Sequence, residues 1–162
     1  MRDEEQEHVT SINTRHINTM CFPQHTLPST IRATVDPTIL HNAHVIVHAI
    51  PVQFSQPFLQ KLTKYIPALA QKNYAACPPL LVTSKGISAK TLQFMNEIVA
   101  SVLGEEYPAC YLSGPSFAEG IILGHPTLVT LASSDDRIAK LVQVRFRIFL
   151  MFPFFPSFIW FH

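Results

Sequence analysis

Glycine and cysteine are scarce in this sequence. Only 5 of its 162 residues are glycine, and no Gly-x-Gly-x-x-Gly run occurs among them. The 3 cysteines, Cys21, Cys77 and Cys110, lie far apart and form no Cys-x-x-Cys pair. They therefore specify neither a disulfide framework nor a zinc site, and a reducing compartment is the simplest interpretation.

Charged residues are also few. They make up 14% of the chain, against roughly 25% in an average soluble domain. The net charge is +1 and the isoelectric point is about 7.8, so no global field attracts a nucleic acid or an acidic membrane. Any anion must then be bound by a local site.

Long apolar runs and targeting signals are missing as well. The first seven residues are acidic and polar, unlike a secretory signal. The most apolar stretch, residues 148–161, contains Pro153 and Pro156 and is shorter than the roughly 20 residues that a spanning helix needs. His41, His44 and His48 have no acidic residue nearby to complete a ligand set, so we predict no metal site.

What the chain does contain is a regular alternation of strand and helix patterns. Hydrophobic residues make up 48% of it, enough for one buried core. Apolar, β-branched runs predict strands at 31–35, 45–50, 80–83, 109–112 and 128–132, the second of them buried on both faces. Helical periodicity predicts helices at 3–16, 54–72, 88–103, 117–123 and from 136 onward. This alternation is typical of an α/β fold with a mainly parallel sheet and helices on both faces.

Three loops at the predicted carboxyl ends of strands are candidates for a binding site, since ligands bind there in such sheets. They are residues 51–54, 84–86 and 112–119, and we expect them to face a common crevice. Lys85 directly follows a buried strand, so its ammonium group can pair with a phosphate or polarise a carbonyl oxygen. A solvated lysine on a turn is the alternative.

The other two loops offer weaker signals. Ser113, Gly114 and Ser116 supply hydroxyls and a backbone without a side chain at a helix start, which suits either a phosphate or helix capping. Phe54 can present a flat face to a nucleotide ring or belong to the core. None of these features decides the function alone.

Taken in order, these segments resemble the NAD-dependent glycerol-3-phosphate dehydrogenase family. The resemblance extends from about Arg2 to Gln143. Its motifs are Ser11-Ile12-Asn13 with Asn18, Leu27-Pro28, Ile50-Pro51-Val52-Gln53-Phe54, Ser84-Lys85-Gly86-Ile87, Leu112-Ser113-Gly114-Pro115-Ser116-Phe117-Ala118-Glu119, and Gly124-His125-Pro126-Thr127.

The resemblance implies a fold, a reaction and a set of contacts. The fold is an incomplete, doubly wound Rossmann-like sheet, and the reaction is hydride transfer between NAD and glycerol 3-phosphate or dihydroxyacetone phosphate. Lys85, Gly114 and Ser116 would bind the substrate, and Phe54, Lys85 and Ala118 the cofactor. The resemblance also allows a homodimer of the complete enzyme. We expect a cytoplasmic location, or alternatively an organelle of the glycosome or peroxisome kind.

Two departures from the family limit what the chain is expected to do. In the family, a glycine-rich turn after the first strand holds the pyrophosphate on a helix N-terminus, and no such turn occurs here. We therefore interpret residues 1–143 as a partial NAD-binding domain without that strand and turn. The helical substrate domain, with the family's catalytic lysine, is expected to be absent. We assign no catalytic residue and expect weak or no NAD binding and no turnover.

The end of the chain leaves a further hypothesis open. Residues 144–162 are rich in phenylalanine and match nothing in the family, as a translated non-coding stretch or a frameshift would. Alternatively, this segment is a docking element through which a non-catalytic fragment binds a membrane or a partner protein. A related dehydrogenase acting on a hydroxy acid is a third possibility.

Overall fold

The computed structural model describes residues 2–67, 77–125 and 128–150. They divide into two compact units, one of residues 2–38 with 117–125 and the other of residues 39–67, 77–116 and 128–150. The elements in chain order are α1 (Arg2–Arg15), a 3₁₀ helix (Pro37–Asn42), β1 (Ile46–His48), α2 (Val52–Leu62), β2 (Leu80–Val82), α3 (Met95–Leu103), β3 (Ala109–Ser113), α4 (Ala118–Ile122), β4 (Thr130–Ala132) and α5 (Asp136–Leu150).

The second unit is built on a sheet of four strands in the order β1-β2-β3-β4. The pairs β1–β2 and β2–β3 are parallel, which confirms the expected mainly parallel sheet. The last pair, β3–β4, is antiparallel, so the sheet is mainly but not wholly parallel. A parallel return requires a crossover that spans the sheet, usually a long helix, and the only helix described between these strands is the 5-residue α4.

Helices cover both faces of this sheet, as predicted. Because side chains alternate along a strand, Leu80 and Val82 of β2 face one side and Leu81 faces the other. On the first side they pack with α2 and α3 through Leu59 and Ile98. On the second side Leu81 belongs to a cluster with apolar residues of β3, β4 and α5. The sheet is therefore sandwiched between helices.

Burial on both faces holds for β2 but not for β1, for which it was predicted. The side chains of Ile46 and His48 are buried, whereas Val47 between them is 55% exposed. The reason is position: β1 pairs only with β2 among the described strands and forms an edge of the sheet. An apolar β-branched run does not distinguish an edge strand from a central one.

In the first unit, the strand expected at 31–35 does not form. Asn13 of α1 takes the place of a partner strand there: its Nδ2 donates to the Ala33 carbonyl at 2.9 Å, and its Oδ1 accepts from the Ala33 N–H at 2.8 Å. One side-chain amide thus bonds both backbone polar groups of Ala33. The alternating pattern is real, but the described part of the chain places no neighbouring strand there to make a sheet.

Two helix predictions need correction. The helix expected from residue 88 begins at Met95, because Leu92 has a positive φ of 55° and is 77% exposed. Its end is as predicted, with the Gly104 N–H donating to the Ala100 carbonyl. Helix α2 ends at Leu62 rather than continuing to residue 72, and residues 68–72 lie outside the described part of the chain.

The last described helix runs past the expected boundary at residue 143. Its start is capped as predicted, since Asp135 Oδ1 accepts from the Arg137 N–H at 2.8 Å. It continues to Leu150, so the backbone shows no break at 143. Most of the phenylalanine-rich segment, residues 151–162, lies outside the described residues, and its separate origin stays a prediction. None of the described helices is long and apolar enough to cross a membrane.

Candidate functional site

Lys85 lies at the edge of the sheet where β1, β2 and β3 all end. Its Nζ donates to the Gly114 carbonyl at 2.9 Å and to Ser116 Oγ at 3.3 Å. These residues are 29 and 31 positions away in the sequence. The structure therefore brings together the three residues predicted to bind the substrate, and Lys85 stays exposed beside them.

Gly114 is fixed by a close backbone approach. Its φ is +136°, and a Cβ built on it would stand 2.5 Å from the Leu128 carbonyl oxygen and 3.0 Å from Val129 Cα. No L residue fits without moving the segment that leads into β4. The backbone therefore requires glycine at position 114, independently of the predicted substrate contact.

The backbone before Lys85 is held to the end of β1 by hydroxyl groups. The N–H and Oγ1 of Thr83 donate to the His48 carbonyl at 3.0 and 3.2 Å. Ser84 Oγ donates to the carbonyl of Ile50. These bonds tie the loop that presents Lys85 to the segment between the end of β1 and Pro51, where the first predicted loop begins.

A buried polar pair supports the same corner. His48 is 3% exposed and Ser55 is fully buried, and His48 Nε2 lies 2.8 Å from Ser55 Oγ. The Ser55 hydroxyl is also 3.3 Å from the Ile50 carbonyl, so it can donate there while accepting from the histidine. The pair joins the end of β1 to the first turns of α2. This pair was not predicted, although a histidine at the end of a predicted buried strand was a signal for it.

Burial lowers the pKa of His48 below its ordinary value of 6.5. The unfolded chain therefore binds more protons than the folded one in that range. His48 contributes stability that is complete above pH 6.5 and is lost as the pH falls through the lowered folded pKa.

We expect the free energy of unfolding to fall between pH 7.5 and 5, and His48→Phe to remove part of that slope. Urea denaturation at each pH measures it. His44→Phe, at an exposed position of the same segment, is the control for introducing a phenylalanine. Equal slopes in the wild-type protein and His48→Phe would contradict this role of His48.

The two remaining predicted cofactor residues lie in different units. Phe54, in the first turn of α2, is 64% exposed, so it is not a core residue and its ring is open to a ligand. Ala118 is the first residue of α4, belongs to the other unit, and is exposed. Their roles as cofactor contacts stay predictions.

A concave surface lies at the end of β3 opposite to Lys85. It is a cavity of about 440 Å³ whose lining includes Glu105, Glu106, Asp135 and Asp136. The one lining cation, Arg137, already pairs with Asp135 at 2.8 Å. This acidic surface repels a phosphate, so the Lys85 edge is the better anion site of the second unit. No group of acidic, cysteine or histidine side chains that could hold a metal ion is present in the described ranges.

Comparison with known proteins identifies the family to which the chain is similar. The sequence model of the NAD-dependent glycerol-3-phosphate dehydrogenase N-terminus matches residues 1–139. The chain is 38% identical over 136 residues to glycerol-3-phosphate dehydrogenase [NAD(+)] 2, chloroplastic, of Arabidopsis thaliana, covering 82% of this chain and 30% of that protein. It is 35% identical over 132 residues to glycerol-3-phosphate dehydrogenase [NAD(P)+] of Beijerinckia indica, covering 82% of this chain and 37% of that protein.

Solved structures show the same fold. A glycerol-3-phosphate dehydrogenase from Coxiella burnetii superposes with a TM-score of 0.75 at 22% identity, covering 96% of this chain and 43% of that one. The enzyme from Plasmodium falciparum gives 0.76 at 19% identity, covering 94% and 40%. These likenesses confirm the Rossmann-like fold, and the chain spans about a third of the length of its curated relatives. The chain belongs to the NAD-dependent glycerol-3-phosphate dehydrogenase family, whose N-terminal region its residues 1–139 match.

Proposed function

We propose that this chain supplies the dinucleotide- and phosphate-facing part of an NAD-dependent glycerol-3-phosphate dehydrogenase. The reaction is hydride transfer between NAD(H) and C2 of glycerol 3-phosphate or dihydroxyacetone phosphate. The observation that supports it is the position of Lys85 Nζ, held between the Gly114 carbonyl and Ser116 Oγ at the carboxyl edge of the sheet. A cation there suits a phosphorylated substrate whose C2 oxygen becomes charged on reduction.

The residues have distinct roles in this proposal. The Lys85 ammonium pairs with the anionic substrate, and the Ser116 hydroxyl adds a hydrogen bond beside it. Gly114 exposes its carbonyl and lets the chain approach closely, because it has no side chain. When the substrate binds, the hydrogen bonds of Lys85 to the neutral oxygens of Gly114 and Ser116 are exchanged for stronger hydrogen bonds to the substrate anion.

The residues present fit part of a dinucleotide. Phe54 offers an exposed ring face on which a base or nicotinamide can stack, and Lys85 offers a cation at the carboxyl edge of the sheet. Ala118 stays a predicted cofactor contact. No glycine-rich pyrophosphate turn occurs in the 162 residues, so tight binding of the whole dinucleotide is not expected. NAD, when bound, supplies or accepts the hydride.

The test is an NMR titration of the 162-residue protein with dihydroxyacetone phosphate, with unphosphorylated dihydroxyacetone as the matched control ligand. We expect shifts concentrated at Lys85, Gly114 and Ser116 with the phosphorylated ligand only. Equal shifts with both ligands, or none near Lys85, would overturn the proposal.

Turnover is a separate measurement. With NADH and dihydroxyacetone phosphate, we expect no loss of NADH absorbance above the blank, because no catalytic group is assigned within these residues. Turnover that depends on Lys85 would support the function and show that the expected inactivity is wrong.

The oligomeric state and the cellular location are also proposals. We propose a homodimer of the complete enzyme and a cytoplasmic location, with a glycosome- or peroxisome-like organelle as the alternative. Light scattering of the purified complete enzyme and fluorescence localisation test them.

A further inference from the structure

Gln53 lies next to the Lys85 site and has no role in the proposed function. It is the second residue of α2 and is exposed. Its Nε2 donates to the Ile87 carbonyl at 3.0 Å, and its Oε1 accepts from the Ala89 N–H at 2.8 Å. One side-chain amide therefore holds both a carbonyl and an N–H group of the segment that follows Lys85.

That segment is a small turn closed by its own hydrogen bonds. The Ser88 N–H donates to the Gln93 carbonyl at 3.0 Å, and the Leu92 N–H donates to the Ser88 carbonyl at 2.8 Å. Ile87 and Phe94 form an antiparallel bridge at its base. The turn is thus closed by its own hydrogen bonds, and the Gln53 amide bonds it to α2.

Gly86 joins this turn to Lys85. Its φ is +100°, a conformation that glycine adopts readily and other residues rarely do. Because glycine is conformationally permissive, Gly86 does not by itself fix the backbone conformation at Lys85. On the other side of Lys85, Ser84 is bonded to the Ile50 carbonyl. Lys85 is therefore held from one side by the end of β1 and from the other by Gln53.

We propose that Gln53 is a positioning residue for Lys85: by clamping Ile87 and Ala89, it orients the lysine toward Gly114 and Ser116. The proposal rests on the proposed function for the ligand that Lys85 binds. The clamp itself is independent of that ligand, so the two can fail separately.

The test replaces Gln53 with methionine, which keeps the length of the side chain and removes both hydrogen bonds. We expect the Ala89 amide to exchange with solvent about five- to tenfold faster, as the loss of a hydrogen bond worth about 1 kcal/mol predicts. Acylation of Lys85, measured by mass spectrometry relative to Lys61, should rise. Affinity for dihydroxyacetone phosphate should fall several-fold.

Two further variants make the result specific. Gln60→Met is the matched control, because Gln60 is exposed on the same helix, and it should leave all three measurements unchanged. Gln53→Glu keeps an acceptor for the Ala89 N–H but cannot donate to Ile87 when ionised. It should leave Ala89 exchange slow and still weaken ligand binding, which a general loss of stability would not do.

The outcomes separate the two hypotheses. Unchanged Ala89 exchange and Lys85 acylation in Gln53→Met would overturn the positioning role, whether or not a ligand binds. If both change but the wild-type protein shows no affinity for dihydroxyacetone phosphate, the positioning role stands and the proposed function is wrong.

Discussion

Replacing Gly114 with alanine is expected to lower the free energy of unfolding by about 3 kcal/mol or more. Two costs add. A φ of +136° is strained for any L residue, and the new Cβ would stand 2.5 Å from the Leu128 carbonyl oxygen, which belongs to the backbone and cannot rotate away. Since domains of this size are stable by only about 5–15 kcal/mol, much of the folded population would be lost at modest denaturant.

Gly104→Ala separates the two costs. Gly104 also has a positive φ, of +100°, but a Cβ there meets nothing within 4 Å. We expect a loss of about 1–3 kcal/mol from backbone strain alone. Urea denaturation of both variants measures the difference, which is the cost of the contact with the chain leading into β4. Equal losses would contradict the close approach at Gly114.

Replacing Lys85 with methionine is expected to weaken binding of dihydroxyacetone phosphate by about 10- to 100-fold. Methionine keeps the apolar stem of the side chain and removes the ammonium group, and a hydrogen bond to a charged partner contributes about 1.5–3 kcal/mol. Stability should change little, because the Lys85 contacts to Gly114 and Ser116 are exposed. Calorimetric titration measures the affinity.

Lys90→Met is the control for general electrostatics. Lys90 is exposed in the turn after Lys85, so it contributes to the same positive field without reaching Gly114 or Ser116. Its replacement should change the affinity by less than about threefold, which is the scale of a screened surface charge. Similar losses in both variants would mean that the ligand responds to net charge and not to a built site.

The grouping of Lys85 with Gly114 and Ser116 was predictable from the sequence. Two apolar runs, 80–82 and 109–112, are each followed by polar residues, and strands of a parallel pair end at the same edge. A lysine shortly after the first run is then expected to lie near a serine shortly after the second. The roles of Phe54 and Ala118 do not follow from strand order in the same way. Whether either residue contacts a cofactor depends on the tertiary placement of the helix that carries it.

The clamps at Asn13 and Gln53 were not predictable from local pattern. Each amide holds a backbone segment far along the chain, Ala33 in one case and Ile87 with Ala89 in the other. Hydrophobic periodicity carries no information about such polar partners. The same limit explains why a strand was expected at 31–35, where a side chain takes the place of the neighbouring strand.

The sequence by itself determined the α/β class, the family and the residues at the ends of the strands, because local periodicity and short motifs lie in contiguous residues. Tertiary structure alone decided that β1 is an edge strand with Val47 exposed, that β4 runs antiparallel to β3, and that Gly114 abuts Leu128. These features depend on which distant segments meet. That choice is made by the packing of the whole unit, which no single window of residues records.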